Sequence, residues 1–148
     1  MGDLRELYQQ VILDHNRRPK NFRAMEGDHV HADGNNPLCG DKLRVYLRIA
    51  YDRIEDVSFL GEGCAISKAS ASLMTQILMG KTVEEAQAIF DDFHKMVTDD
   101  NAAPTDRLGK LAVFSGVREF PVRVKCATLA WHTLGAALNG AGEEVTTE

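Results

Sequence analysis

The 148-residue chain contains no run of about 18 or more apolar residues, so no membrane-spanning helix is expected. Its opening, Met1-Gly2-Asp3-Leu4-Arg5, lacks the apolar stretch of a secretory signal. Glu6 stands where a myristoylation motif needs Ser or Thr. A cytoplasmic protein is the expectation. Positive charge is also short, with 17 Lys and Arg against 22 Asp and Glu for a net charge of −5, which argues against wrapping a nucleic-acid backbone. Cysteine is scarce: three residues, an odd number that excludes a fully paired disulfide framework. None of the three forms a CxxC pair. The chain has no Ser-His-Asp order, phosphate-cradling glycine loop, internal repeat, low-complexity run or linker. One domain over residues 1–148 is expected, large enough to bury roughly 68–70% of its unfolded surface without a metal or disulfide merely to fold. Residues 140–148, which include the acidic end Glu143-Glu144-Val145-Thr146-Thr147-Glu148, carry no core pattern and are expected to be disordered.

What is present reads as an α+β fold. Leu4, Leu7, Tyr8, Val11 and Ile12 recur at helical spacing and predict an amphipathic helix ending near His15-Asn16, ahead of Pro19. Residues 26–38 are turn-rich, with room for a short edge strand at 30–32. Leu43, Val45, Leu47, Ile49 and Tyr51 alternate as in a half-buried strand. Asp52-Arg53 makes a turn, and Ile54–Leu60 returns before Gly61-Glu62-Gly63 breaks the strand. A helix is expected from about Cys64 to Met79, rich in small residues at its start and stopped by Gly80. Thr82-Val83-Glu84-Glu85 is a capping box opening the next helix. Residues 98–120 are mixed, and a last helix runs from Pro121 to Leu138. A small antiparallel sheet followed by helices is the α+β pattern.

Chemistry points to the cysteines. In a reducing compartment unpaired thiols tend to be buried, catalytic or metal-bound. Cys39, Cys64 and Cys126 each fall near the end of an expected element. Residues i and i+2 of an extended chain share a face, and Gly40 carries no side chain to obstruct them. Cys39 and Asp41 can therefore offer a thiolate and a carboxylate to one ion. Cys64 and Cys126 would complete a four-ligand set of the kind that holds tetrahedral zinc, and thiolate-rich sites also suit iron–sulfur clusters. Cys64 opens a helix, where the dipole stabilises a thiolate. Arg123 and Lys125 precede Cys126 and would offset the accumulated negative charge. Residue types alone leave the alternative open, since a free cysteine commonly behaves as a small buried hydrophobe. Cys126, on a face with Val122, Leu129 and Thr133, is the most easily read that way.

Other candidates read as structural. His29 and His31 form an i, i+2 pair expected to face solvent. His15 caps a helix C-terminus, where a cation is favoured. His94 and His132 are packing or surface residues, and Trp131 belongs to the core. Arg17, Arg18 and Lys20 form a solvated basic cluster that could also meet an acidic partner.

Four segments carry a family resemblance: Val11-Ile12-Leu13-Asp14-His15 with Pro19 and Asn21; Asn36-Pro37-Leu38-Cys39-Gly40-Asp41; Gly61-Glu62-Gly63-Cys64-Ala65-Ile66-Ser67; and Phe120-Pro121-Val122-Arg123-Val124-Lys125-Cys126-Ala127-Thr128-Leu129. With these the chain resembles the IscU/NifU N-terminal family of iron–sulfur assembly proteins, and most closely its SufU branch. Lys125 stands where the IscU scaffolds carry histidine, and the segment between Cys64 and Cys126 is longer than theirs; both features mark the SufU branch. The resemblance implies a SufE/NifU-like fold with a small antiparallel sheet of about three strands, and metal ligands at Cys39, Asp41, Cys64 and Cys126. It further implies a zinc-dependent sulfurtransferase that accepts persulfide sulfur from a cysteine desulfurase of the SufS type and serves downstream iron–sulfur assembly proteins. Cys39 is the expected persulfide carrier and Arg123 its support. The alternatives are a scaffold that builds and passes on a [2Fe–2S] cluster, with iron in the same site, and a structural zinc module used for binding.

Overall fold

A computed structural model describes residues 4–99, 101–140 and 145–146. The first amphipathic segment forms helix α1, Leu4–Arg17. Tyr8, Val11 and Ile12 pack against the core. Leu7, expected on the same stripe, is 58% exposed, so the packed face is narrower than the sequence pattern suggests. The helix passes His15 and stops at Arg17, because Arg18 is the residue whose helical angles Pro19 disfavours.

Four strands build one sheet in the order β3-β2-β1-β4. They are β1, Val30–Asn36; β2, Asp41–Ala50; β3, Arg53–Glu62; and β4, Val145–Thr146. β1, β2 and β3 form an antiparallel meander, and β4 adds to β1 in parallel. The sheet thus has four strands rather than about three. Of the C-terminal nine residues, Gly140, Val145 and Thr146 are described and the others lie outside the described residues. β1 is also longer than expected, because Asp33-Gly34-Asn35-Asn36 continue the strand instead of turning. Gly34 is the reason: a Cβ there would lie 2.0 Å from Thr133 Oγ1 and 3.1 Å from Leu129 Cδ1. It is a point of close approach between strand and helix, not a turn. β3 likewise runs through Gly61 and Glu62.

In β2 the inward side chains are Asp41, Leu43, Val45 and Leu47, all buried. The alternation fails beyond them. A register shift between Arg48 and Ile49 turns Ile49 outward. Tyr51 and Asp52, both at positive φ, form the two-residue hairpin turn and leave Tyr51 fully exposed.

Two helices, α2, Ala65–Leu78, and α4, Pro121–Leu138, cover the inner face, and a further helix between them in the chain, α3, Val83–Thr98, packs against α4 and the segment 106–119. Thr82 caps α3 with the expected reciprocal pair, its Oγ1 accepting from Glu85 N–H and its own N–H donating to Glu85 Oε1, both at 3.0 Å. Tight 3-10 turns over Asp106–Glu119, kinked at Gly109, bury Leu108, Leu111, Val113, Phe114 and Val117 beneath α3 and α4. The mixed segment therefore packs as core. Small residues on α2 let α4 come close: Ser70 Oγ donates to the Ala127 carbonyl at 2.6 Å and accepts from Trp131 Nε1 at 3.2 Å. Trp131 stacks on Phe93 with ring centres 4.9 Å apart. His94 and His132 meet the edge of Phe90 as packing residues. His31 is exposed and His29 half-buried against Tyr46, with His29 Nδ1 2.8 Å from the Gly27 carbonyl. No helix among the described residues is long and apolar enough to cross a membrane.

His15 fastens α1 to α2. It is buried, with Nδ1 2.7 Å from Ser72 Oγ. Ser72 Oγ also accepts from the Lys20 N–H at 2.7 Å, so one hydroxyl ties both His15 and the chain beyond α1 to α2. Burial, with Lys110 and Lys20 nearby, pushes the imidazole below its ordinary value, partly countered by Asp14. Below about pH 6.5 the unfolded chain binds this proton before the folded one does, so stability is lost as pH falls. In urea titrations of the reduced, metal-free chain between pH 7.5 and 5.5, His15→Gln is expected to flatten that decline. An unchanged pH slope would show that His15 does not contribute to it.

Candidate metal centre

The site lies where the β1–β2 hairpin, the entry to α2 and the first turns of α4 meet. Hairpin register pairs Asn36 with Asp41 at the base of a four-residue loop, Pro37 to Gly40. Cys39 N–H donates to the Asn36 carbonyl at 3.3 Å. Gly40 takes φ +70, a left-handed turn position natural to glycine, and a Cβ there would meet nothing within 4 Å. The β2–β3 register pairs Lys42 with Glu62 and so carries the following residues, Gly63 and Cys64, alongside Asp41. The packing of α4 over β1 and β2 then lowers Cys126 onto the same spot.

Ligand atoms of Cys39, Asp41 and Cys126 all lie within 4.8 Å of one another. The sulfurs of Cys39 and Cys126 are 3.0 Å apart. Cys64 Sγ is 4.0 Å from Asp41 Oδ2, at the edge of this trio rather than inside it. Cys39 and Cys64 are partly exposed, whereas Cys126 and Asp41 are fully buried. Asp41 is held firmly: its Oδ1 accepts the Cys64 N–H at 2.8 Å. Arg123, exposed on α4, has its guanidinium raised above its ordinary value by the charges of Cys64 and, more weakly, Cys126 and Cys39.

The neighbouring Cys126 thiol and the N–H groups of Ser67 and Ile66 hold Cys64 down to about 6 against desolvation and the Asp41 charge. Cys126, beside Cys64 and buried, is pushed up. A buried carboxylate beside three sulfurs is an arrangement that a divalent cation stabilises by replacing thiol protons. The S3O donor set fits zinc in number and softness, and thiolate-rich iron sites equally.

Two residues here escaped the sequence reading. Gly63 had been taken as a strand breaker, yet a Cβ on it would lie 2.5 Å from Asp41 Oδ1 and 3.0 Å from Asp41 Cγ. Asn36 is buried with Nδ2 directed at Asp41 and Cys126. Finding either requires the strand register, which is a long-range property. Because Gly63 does not occupy the left-handed region, alanine fits its backbone angles and acts by pressing on Asp41, most closely on the carboxylate and at 3.1 Å on the Cα. Gly63→Ala is expected to weaken metal affinity about 10–100-fold with little change in folding, measured by chelator competition and urea unfolding. Unchanged affinity would show that the Asp41 carboxylate is not a ligand.

Residues 7–139 match the family described as the NifU-like N terminal domain. The chain is 42% identical over 133 residues to the zinc-dependent sulfurtransferase SufU of Bacillus subtilis (strain 168), covering 90% of each chain. It is 40% identical over 138 residues to the iron-sulfur cluster assembly scaffold protein IscU of Streptococcus pyogenes serotype M1, covering 93% of this chain and 86% of that one. Among solved structures, a candidate iron-sulfur cluster assembly scaffold for the SUF system from Fervidobacterium islandicum AW-1 superposes with a TM-score of 0.78 at 36% identity, covering 87% of this chain and 94% of that one.

Proposed function

The chain belongs to the NifU-like N-terminal family, and from that premise we propose that it is a zinc-dependent sulfurtransferase in iron–sulfur cluster assembly, taking persulfide sulfur from a cysteine desulfurase. The supporting observation is the position of Cys39. It sits in the ligand cluster, 3.0 Å from Cys126 Sγ, yet on a partly exposed hairpin loop with open space beside Gly40. Asp41, Cys64 and Cys126 stand on the sheet and on helix ends and would hold the ion, while Cys39 has room to move. Zinc, when bound, supplies positive charge that keeps these thiols ionised at neutral pH.

The reaction read from these residues is thiol–persulfide exchange. The Cys39 thiolate attacks the outer sulfur of the partner's persulfide. A new bond forms between Cys39 Sγ and that sulfur, the partner's S–S bond breaks, and the partner cysteine leaves as a thiolate. No electron acceptor is required, because one S–S bond replaces another. Arg123 faces the thiolates and would offset the charge brought together as two anionic sulfurs approach. The desulfurase is expected to be of the SufS type, and the sulfur is passed on to downstream assembly proteins.

The test is the metal content of chain purified without added metal, together with turnover of a SufS-type desulfurase with and without it. About one zinc per chain and accelerated turnover are expected. Iron content with visible absorption after anaerobic reconstitution would instead indicate a cluster scaffold. Zinc with no effect on turnover and no persulfidated cysteine would indicate a structural module.

A further inference from the structure

Two buried polar side-chain atoms beside the cluster have no hydrogen-bond partner among the described residues, Ser67 Oγ and Asn36 Oδ1, and Asn36 also aims its side-chain donor at two candidate ligands. Asn36 is fully buried at the end of β1, with its side chain under the first turns of α4. Its Nδ2 is 3.4 Å from Asp41 Oδ2 and 3.5 Å from Cys126 Sγ. Its Oδ1 is buried with no hydrogen-bond partner among the described residues. The amide orientation follows from chemistry, since the reverse assignment would press a carbonyl oxygen against a carboxylate and a sulfur, both acceptors once ionised. A buried amide that leaves its own oxygen unsatisfied to aim its donor at two candidate ligands is costly to the fold, so its placement points to the ligands.

We infer that Asn36 is a positioning residue which holds Cys126 and Asp41 and, by donating N–H to the Cys126 sulfur, leaves Cys39 the most nucleophilic of the three thiolates. This rests on the metal-site reading above and deepens it. An N–H donated to a thiolate withdraws electron density from sulfur and weakens both its donor strength and its attack. Two of the three sulfurs receive such a bond: Cys64 from the Ser67 N–H at 3.5 Å, and Cys126 from Asn36 at the same distance. The hydrogen-bond neighbour of Cys39 Sγ is the Cys126 sulfur, and the S–H on which that contact depends disappears when Cys126 ionises. Hairpin register makes the device compact. Asn36 and Asp41 are cross-strand partners, so one amide spans a ligand on its own sheet and a ligand on α4.

The experiment uses the full chain loaded with cobalt(II) as a spectroscopic substitute for zinc, comparing wild type with Asn36→Asp and Asn36→Ala. Asn36→Asp keeps the shape and removes the donor; Asn36→Ala removes both and adds no charge. With the Asn36 donor to the Cys126 thiolate gone, the sulfur-to-cobalt charge-transfer bands should move to lower energy in both variants. Zinc affinity by chelator competition should fall about 10–100-fold. Limiting alkylation of the zinc-loaded chain, read by peptide mass spectrometry, should be confined to Cys39 in wild type and spread to other cysteines in the variants. Wild-type band energies and affinities within about twofold of wild type in both variants would overturn the inference, including where the variants are only less stable to urea. Should one variant not fold, the other decides the matter by the same readings. If wild type itself shows no thiolate charge-transfer bands, the metal-site reading falls first and takes this inference with it, a result distinct from bands that are present but indifferent to Asn36.

Discussion

Cys39→Ala is expected to reduce acceptance of labelled persulfide sulfur by at least about a hundredfold, because the attacking atom is gone. Desulfurase turnover stimulated by the chain should fall to the unstimulated level. The variant also loses one candidate ligand, so the assay belongs at saturating zinc, with bound metal confirmed. Asp41, Cys64 and Cys126 remain, and Asp41 keeps its bond to the Cys64 N–H. Metal binding is therefore expected to weaken without vanishing, whereas transfer stops. Labelled sulfur accepted at the wild-type rate would move the carrier role away from Cys39. Cys64, partly exposed at the start of α2, would then be the acceptor to test.

Trp131→Ala is expected to cost about 3–5 kcal/mol, the range for deleting a fully buried aromatic side chain. Against a total stability of roughly 5–15 kcal/mol this approaches unfolding. The indole stacks on Phe93 and lies beside Phe90, at 4.9 Å and 5.9 Å between ring centres, and its N–H fills an acceptor on Ser70. Trp131→Phe keeps most of the apolar area and loses that hydrogen bond, so its cost should be clearly smaller. Urea unfolding of the reduced, metal-free chain separates the two. If Trp131→Ala matched Trp131→Phe, the stack would contribute little and the ring would only fill space. The same loss reaches function, because α4 carries Cys126 and is fastened to α2 through Ser70.

Local patterns made much of the fold legible. The capping box at Thr82 depends on residues three apart and was readable directly. The alternation of Leu43, Val45 and Leu47 identified β2, since period 2 reflects one buried face. The readings failed where a distant element overrides local chemistry. Asp33-Gly34-Asn35 looks like a turn, but Gly34 is there so that α4 can approach. Val145–Thr146 has too little pattern to announce a strand, and pairing with β1 makes it one. Ile49 follows the alternation in sequence and is turned out by a register shift.

The division at the site has the same cause. The sequence by itself determined the inventory: three unpaired thiols, a carboxylate two residues from one of them, a glycine hinge between, and a cysteine at a helix start. Each is a statement about residues close in the chain. Only tertiary structure decided that Cys126 lies 3.0 Å from Cys39, that Gly63 makes room for the Asp41 carboxylate, and that the Asn36 amide spans Asp41 and Cys126. Convergence of side chains as far apart as Asn36 and Cys126 depends on strand register and on how closely α4 can settle on β1. Those quantities are set by packing across the whole core, and no local periodicity records them.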